Sequence, residues 1–196
     1  MEKKDNQRTR LTRLLLKNSL IALLQKKPIY QITVSELCSE AELNRSTFYK
    51  HYGNVQDILQ EIEEETLLKG TQCMREMETA GINHGEKALN RLLTDVQKNS
   101  EIYRLLTDNS IDGSFTKKML GDTVDFFKEN MKAAGTENKM SGYVFNYLVA
   151  GSISVIQNWL AGPMEETPAE ISKLIYNISA AVLKYTDILP EERKSI

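Results

Sequence analysis

The 196-residue sequence is long enough for one domain, or for a small domain joined to a larger one, and for a sizeable hydrophobic core. Its hydrophobic content of 41% and charged content of 27% are ordinary for a soluble globular protein. The apolar runs fall short of the roughly 20 residues that span a bilayer, and the first ten residues lack the apolar core of a signal peptide. We therefore expect a cytoplasmic protein with no membrane partner.

Charge is distributed unevenly along the chain. Residues 1–52 contain ten Lys/Arg and five Asp/Glu, whereas the remainder contains 15 Lys/Arg and 22 Asp/Glu. A basic N-terminal segment on an acidic body is typical of a polyanion-binding head. An ordinary scatter of surface charge can give similar counts. The charge alone therefore does not distinguish a polyanion-binding head from such scatter, and the motifs below are needed.

The first predicted helix carries four leucines between residues 16 and 24 at helical spacing, and it ends before Pro28. Arg13 and Lys17 lie on this helix. They are suited to phosphate contacts flanking a DNA groove, but a solvated helix face would carry the same residues. The sequence leaves both possibilities open.

Residues 33–52, TVSELCSEAELNRSTFYKHY, predict two short helices separated by a tight corner. Thr33 and Glu36 form a capping box at the start of the first helix, and Asn44 offers an N-cap for the second. The second helix is expected to bury Phe48 and Tyr52, which are four residues apart, and to present its other side chains outward. This arrangement is what a helix-turn-helix requires.

The segment resembles the DNA-binding motif of the TetR family of bacterial transcriptional regulators. Residues 47–52, T-F-Y-K-H-Y, match the family pattern T-F-Y-x-x-F/Y, and a new helix is predicted directly afterwards. Two positions depart from the family. Glu42 replaces the usual corner glycine, which predicts a non-glycine residue in the left-handed region. Val55 stands where the family often has a lysine, so one expected phosphate contact is absent or replaced.

The motif supplies hydroxyl and cationic donors for DNA. Thr47 and Tyr49 can donate to phosphate oxygens, while Arg45 and Lys50 can donate to guanine edges or phosphates. The predicted DNA-binding residues are Thr33, Arg45, Ser46, Thr47, Tyr49, Lys50 and His51. The predicted domains are a helix-turn-helix DNA-binding domain, 1–53, and a helical ligand-binding and dimerisation domain, 54–196.

The predicted fold class is all-α, with a three-helix head joined by a long fourth helix to a helical body. No stretch sustains the alternation of a strand. The fourth helix is predicted to end at Gly81–Asn83. Further helices are predicted at about residues 85–98, 101–109, 115–133, 138–161 and 168–186, from periodicity and end signals.

Several body residues with polar tips or sulfur atoms can line a ligand pocket, because a pocket uses a few polar groups among apolar walls. The same residues can also be ordinary core. The predicted pocket residues are Thr66, Cys73, Met77, Tyr103, Phe127, Tyr143, Asn146 and Tyr147. We expect a small, mostly apolar effector, of unknown identity.

The last two predicted helices are apolar on more than one side, so we expect a partner to cover them. This resembles the TetR-type dimer, in which two helices from each subunit form a four-helix bundle. The predicted interface residues are Gly151, Val155, Trp159, Ile171, Leu174, Ile178 and Val182. A twofold dimer places two recognition helices about 34–36 Å apart and predicts a near-palindromic operator.

These features favour a dimeric DNA-binding regulator, a repressor released from its operator by a ligand. One alternative is a helical interaction protein that has lost specific DNA binding, as Glu42 and Val55 allow. Another is an all-helical enzyme, but the sequence has no recognisable catalytic motif and no catalytic residue is assigned. No metal or cofactor is expected, since His51 and His84 are far apart and Cys38 and Cys73 are isolated.

Overall fold

The computed structural model describes residues 2–79, 82–107, 114–133 and 140–185. These ranges are helical and contain no strand, which confirms the predicted all-α class. The helices are α1 (Glu2–Leu24), α2 (Val34–Glu40), α3 (Arg45–Phe48), α4 (Val55–Thr79), α5 (Ile82–Lys98), α6 (Ser100–Thr107), α7 (Ser114–Ala133), α8 (Ser141–Ala161) and α9 (Pro168–Tyr185). A short 3-10 turn, Ile29–Gln31, precedes α2. None of the described helices is long and apolar enough to cross a membrane.

The predicted end of the fourth helix at Gly81–Asn83 falls partly outside the described residues, and its described part, Ile82 and Asn83, belongs to α5. Helix α4 ends at Thr79, and Ile82 already begins α5. Gly81 lies outside the described residues. Asparagine is favoured at helix starts as well as in turns, so Asn83 alone does not tell whether a helix ends or begins.

The chain divides into two compact units, Met1–Leu67 and Leu68–Ile196, so the division falls within α4. The functional boundary predicted after residue 53 stays a prediction. The first unit has a core to which four helices each contribute. Its fully buried side chains are Leu16, Leu20, Leu37, Phe48 and Ile58.

In the second unit, α5 packs against α9, and α8 packs against α6, α7 and α9. The buried residues of its main core are Leu89, Leu93, Val96, Tyr103, Trp159, Leu160, Ile171 and Ile175. A smaller core forms where Phe127 stacks on Phe145, with ring centres 4.9 Å apart. The turn between α8 and α9 is held by Arg104, whose Nε donates to the Leu160 carbonyl at 2.6 Å.

The corner after α2 has the hydrogen bonds of a Schellman motif. The Leu43 N–H donates to the Cys38 carbonyl at 2.9 Å, and the Glu42 N–H donates to the Ser39 carbonyl at 3.2 Å. Glu42 has φ 53°, so the predicted left-handed non-glycine residue is confirmed. A β-carbon makes this conformation unfavourable, by roughly 1–2 kcal/mol.

We predict that Glu42→Gly stabilises the protein. Relief of the left-handed strain should exceed the extra unfolded-state entropy of glycine, leaving a net gain of about 0.5–1 kcal/mol. Urea denaturation measures the change. Glu40→Gly, two residues earlier and within α2, is the matched control and should destabilise by about 0.5–1 kcal/mol. A lower urea midpoint for Glu42→Gly would contradict the prediction.

Candidate nucleic-acid interface

The bracing helix α2 is capped as predicted. The Thr33 hydroxyl accepts a hydrogen bond from the Glu36 N–H at 3.2 Å. Asn44 occupies the N-cap position of α3, but its side chain makes no capping hydrogen bond, so that expectation is wrong. The Asn44 backbone carbonyl instead accepts from the Thr47 N–H at 2.9 Å. The short α3 therefore begins on backbone bonds alone.

The recognition segment, residues 45–51, is one turn of α-helix followed by a tightened turn. Two i→i−3 hydrogen bonds tighten this turn. The Lys50 N–H donates to the Thr47 carbonyl at 3.3 Å, and the His51 N–H donates to the Phe48 carbonyl at 2.9 Å. Phe48 and Tyr52 are both buried, which confirms the predicted inward pair. The segment is thus anchored on its inner side by two aromatic rings, 6.0 Å apart at their centres.

The outer side of the segment presents the predicted donors. Thr33, Arg45, Ser46, Tyr49 and Lys50 are exposed, and Thr47 and His51 are half-buried. The Tyr49 ring packs edge-on against Phe48 with centres 5.2 Å apart, and its side chain remains 53% exposed. Packing therefore fixes the ring while the hydroxyl can donate outward. Hydroxyl, guanidinium and ammonium donors on one face suit phosphate and base-edge recognition.

Val55 is buried in the first unit. The position where the TetR family often has a lysine therefore belongs to the core here. The start of α4 is instead held by a reciprocal cap. The Asp57 carboxylate accepts from the Gly53 N–H at 2.7 Å, and the Asn54 side chain accepts from the Asp57 N–H at 3.1 Å.

Sequence reasoning missed an ionic cluster that joins α1, Tyr52 and α4, which we name the α1–α4 clasp. Its members are Arg13, Lys17, Tyr52, Glu61 and Glu65. Glu61 forms ion pairs with Arg13 and with Lys17, the latter at 2.5 Å, and accepts a hydrogen bond from the Tyr52 hydroxyl at 3.0 Å. Lys17 also pairs with Glu65 at 2.7 Å, and the Arg13 Nε donates to the Tyr52 hydroxyl at 3.2 Å.

The surroundings keep Glu61 and Lys17 charged. Partial burial raises the pKa of Glu61, but the hydrogen bonds from Lys17 and Tyr52 lower it by more than burial raises it. The pKa of Glu61 therefore lies below its ordinary value. Burial lowers the pKa of Lys17, but its bonds to the two glutamates raise the pKa above normal. The spacing of residues 13 and 17, like that of 61 and 65, is a helical turn. That shared spacing was the signal available in the sequence.

The structure separates the predicted pocket residues. Tyr103 is part of the main core of the second unit, and Met77 packs against that core. Cys73 is buried, and Phe127 packs against the smaller core. The Tyr103 hydroxyl donates to Asp95 at 3.0 Å. Thr66 lies in the first unit, and its hydroxyl donates to the Ile62 carbonyl at 2.7 Å.

Three predicted pocket residues lie on the outer surface instead. Tyr143 and Tyr147 are 74% and 70% exposed, and Asn146 is exposed between them. In the single chain these three side chains face solvent, because the buried side of α8 is formed by other residues, such as Phe145 and Leu148. Their place in a ligand pocket stays a prediction.

The predicted interface residues divide into two groups. Gly151, Leu174 and Ile178 are exposed, and Val155 and Val182 are half-buried. Trp159 and Ile171 lie in the core of their own chain, and the indole N–H of Trp159 donates to the Glu166 carbonyl at 3.0 Å. Those two side chains pack against their own chain, and the interface as a whole stays a prediction.

This arrangement of helices is similar to that of known proteins. Residues 83–180 match a TetR family model described as a transcriptional regulator C-terminal region. The uncharacterized HTH-type transcriptional regulator YxbF of Bacillus subtilis (strain 168) is 19% identical over 167 residues, covering 83% of this chain. The match covers 43% of YxbF, so this chain spans less than half the length of that relative.

Solved structures show the same fold. The TetR transcriptional regulator from Streptococcus agalactiae 2603V has 20% identity and a TM-score of 0.60, covering 91% of this chain and 99% of its own. The dihydroxyacetone kinase operon activator DhaS has 18% identity and a TM-score of 0.62, covering 89% of this chain and 97% of its own.

The helix-turn-helix and the helical second unit share their fold with these regulators. The family match spans half of the chain. The chain belongs to the TetR family of transcriptional regulators.

Proposed function

We propose that this chain is a dimeric, sequence-specific DNA-binding repressor that a small, mostly apolar effector releases from its operator. The main support for the proposal is the division of the recognition segment into a buried side and an exposed side. Its inner aromatic residues are buried, while Arg45, Tyr49 and Lys50 remain exposed. A rigid inner side and a donor-rich outer side are what a major-groove reader needs. Such a regulator works in the cytoplasm, where the chromosome of a bacterium lies.

An uncharged surface supports the dimer. Helix α8 contains no Asp, Glu, Lys or Arg in 21 residues. A strip of polar and small uncharged residues nevertheless remains exposed along it: Tyr143, Asn146, Tyr147, Ala150, Gly151, Ser154 and Asn158. A β-carbon added at Gly151 would meet no atom within 4 Å in the single chain. Glycine at an open position of this kind suits the close approach of another backbone.

Helix α9 extends this surface. Leu174 and Ile178, four residues apart, are 47% and 48% exposed, and Tyr185 continues the same face. Because α8 and α9 pack together, their exposed faces can be covered by the same two helices of a second copy. A twofold axis through such a bundle would relate two recognition segments, about 34–36 Å apart, and call for a near-palindromic operator.

The effector acts in the proposal by differential affinity. A ligand that binds the released conformation about 100-fold more tightly shifts the equilibrium by roughly 2.7 kcal/mol. The proposed site surrounds Met77 and Tyr103, where sulfur and a polar-tipped ring lie among apolar side chains. We propose repression rather than activation of transcription, because a dimer on a promoter blocks polymerase without further contacts. DhaS is described as an activator, which is a property of that protein.

Two alternatives are less well supported. The matched proteins are regulators, which favours a regulator over an all-helical enzyme. Loss of DNA binding was suggested by Glu42 and Val55. The corner at Glu42 nevertheless keeps its hydrogen bonds, and Val55 contributes to the core. Neither departure disturbs the exposed donors of the recognition segment.

We predict that Tyr49→Phe weakens operator binding about 10- to 100-fold, since a hydrogen bond to a charged group contributes roughly 1.5–3 kcal/mol. The substitution keeps the ring that packs on Phe48 and removes only the hydroxyl. Fluorescence anisotropy at two salt concentrations measures the affinity. The probes are DNA from upstream of the chain's own gene and an unrelated duplex of equal length. Random-sequence selection supplies the operator if the first probe shows no preference.

Tyr30→Phe is the matched control. Tyr30 is 77% exposed in the same unit but lies outside the recognition segment. It should retain wild-type affinity. Equal affinities for Tyr49→Phe and wild type would remove Tyr49 from the interface, and salt-independent binding by the wild type would contradict the proposed function itself.

A further inference from the structure

The α1–α4 clasp affects how many cations of the first unit can contact DNA phosphates. Arg13 and Lys17 are cations on the helix where the sequence suggested phosphate contacts. Their donors are instead directed at carboxylates of the same chain. With two cations and two carboxylates, the ionic groups of the clasp have no net charge. A cation that is already neutralised releases few counterions from DNA.

The clasp adjoins the proposed DNA-binding surface. Tyr52 follows the recognition segment directly, and its hydroxyl contacts both Arg13 and Glu61. The Arg13 guanidinium carbon also lies 5.5 Å from the centre of the Tyr52 ring. The Arg13 side chain is 43% exposed, whereas that of Glu61 is only 18% exposed. The arginine is therefore accessible from solvent while the carboxylate holds it from the inner side.

Arg8 and Arg10 provide a contrast on the same helix. Both are exposed, and neither has an ion-pair partner within the part of the chain that the structure describes. The arginine and lysine residues of α1 whose side chains are described thus fall into two classes. Arg8 and Arg10 are exposed, whereas Arg13 and Lys17 form ion pairs with carboxylates of α4.

We propose that Glu61 is an internal substitute for a DNA phosphate, which withholds Arg13 and Lys17 from nonspecific contacts and so limits the affinity for non-operator DNA. Through Tyr52, the same carboxylate positions the end of the recognition segment. The inference rests on the proposed DNA binding. It predicts that removing the Glu61 carboxylate frees at least one cation to reach a DNA phosphate.

The test is the salt dependence of binding to a duplex of random sequence, by fluorescence anisotropy between about 50 and 200 mM salt. Each added phosphate contact steepens the logarithmic slope by about 0.9. Across that fourfold range of salt, the affinity advantage of Glu61→Gln over wild type should therefore grow by about 3.5-fold as salt is lowered. Glutamine keeps the size of the side chain and removes its charge.

Glu64→Gln is the matched control. Glu64 is exposed on the same helix, loses the same charge on substitution, and contacts only Gln60 among the hydrogen bonds described. It should keep the wild-type slope apart from the effect of net charge. The double variant Arg13→Gln with Glu61→Gln should return towards the wild-type slope, because the freed cation is absent.

The outcomes separate the two proposals. Binding by all variants with equal slopes would overturn the role of Glu61 while leaving DNA binding intact. Absence of salt-dependent binding by wild type and by Glu61→Gln would overturn both. If Glu61→Gln unfolds, Arg13→Gln is the second test. Because Glu61 already withholds Arg13 from phosphates, this variant should keep the wild-type slope, and a slope shallower by about 0.9 overturns the proposal.

Discussion

Ile178→Glu is expected to convert the proposed dimer into a monomer and to abolish tight operator binding. In a single chain this side chain is 48% exposed, beside Leu174 on the outer face of α9. A partner that covers this face would bury an unpaired carboxylate, which costs several kcal/mol. Separating the heads also removes the avidity of paired half-sites, a factor of roughly 10²–10⁴.

Sedimentation velocity at micromolar concentration, together with operator binding, measures this effect. Lys173→Gln is the matched control because it changes the net charge equally, at an exposed position of the same helix. The control should remain dimeric and bind DNA. The thermal unfolding of Ile178→Glu as a monomer shows whether the chain still folds. A variant that sediments as a dimer would show that the interface lies elsewhere on the body.

The fold was predictable because it depends on periodicity and end signals that are local in sequence. Leu16 and Leu20 recur at helical spacing and are buried, and the cap at Thr33 needs only the residue three positions later. The left-handed corner at Glu42 was predicted from the family pattern and is confirmed by its φ of 53°. Each of these features is determined by neighbours within a few residues.

The clasp was not predicted because it joins residues 48 positions apart in the chain. Arg13 reaches Glu61 only because the fold brings the two side chains together, and the sequence alone indicated no partner for Arg13. The positions of Tyr143 and Tyr147 were missed for a related reason. Helix α8 is uncharged on all sides, so its periodicity does not show which side its own chain covers.

Phe48→Ala is expected to destabilise the first unit strongly and to weaken DNA binding. Phe48 is fully buried and packs against the rings of Tyr49 and Tyr52, so it anchors the C-terminal part of the recognition segment. Truncating such a side chain costs about 3–5 kcal/mol. Many domains have a total stability of only about 5–15 kcal/mol. Phe48→Leu, which keeps much of the volume, is the matched control and should cost about 1–1.5 kcal/mol.

The chain's single tryptophan allows this loss to be located. Trp159 lies in the main core of the second unit, so its fluorescence reports that unit, whereas far-UV circular dichroism reports the helices of both. In urea, Phe48→Ala should lower the midpoint followed by circular dichroism more than the midpoint followed by Trp159. If the circular dichroism midpoint of Phe48→Ala matches that of Phe48→Leu, Phe48 does not anchor the recognition segment. The donors on the outer side of the segment must then be held by other contacts.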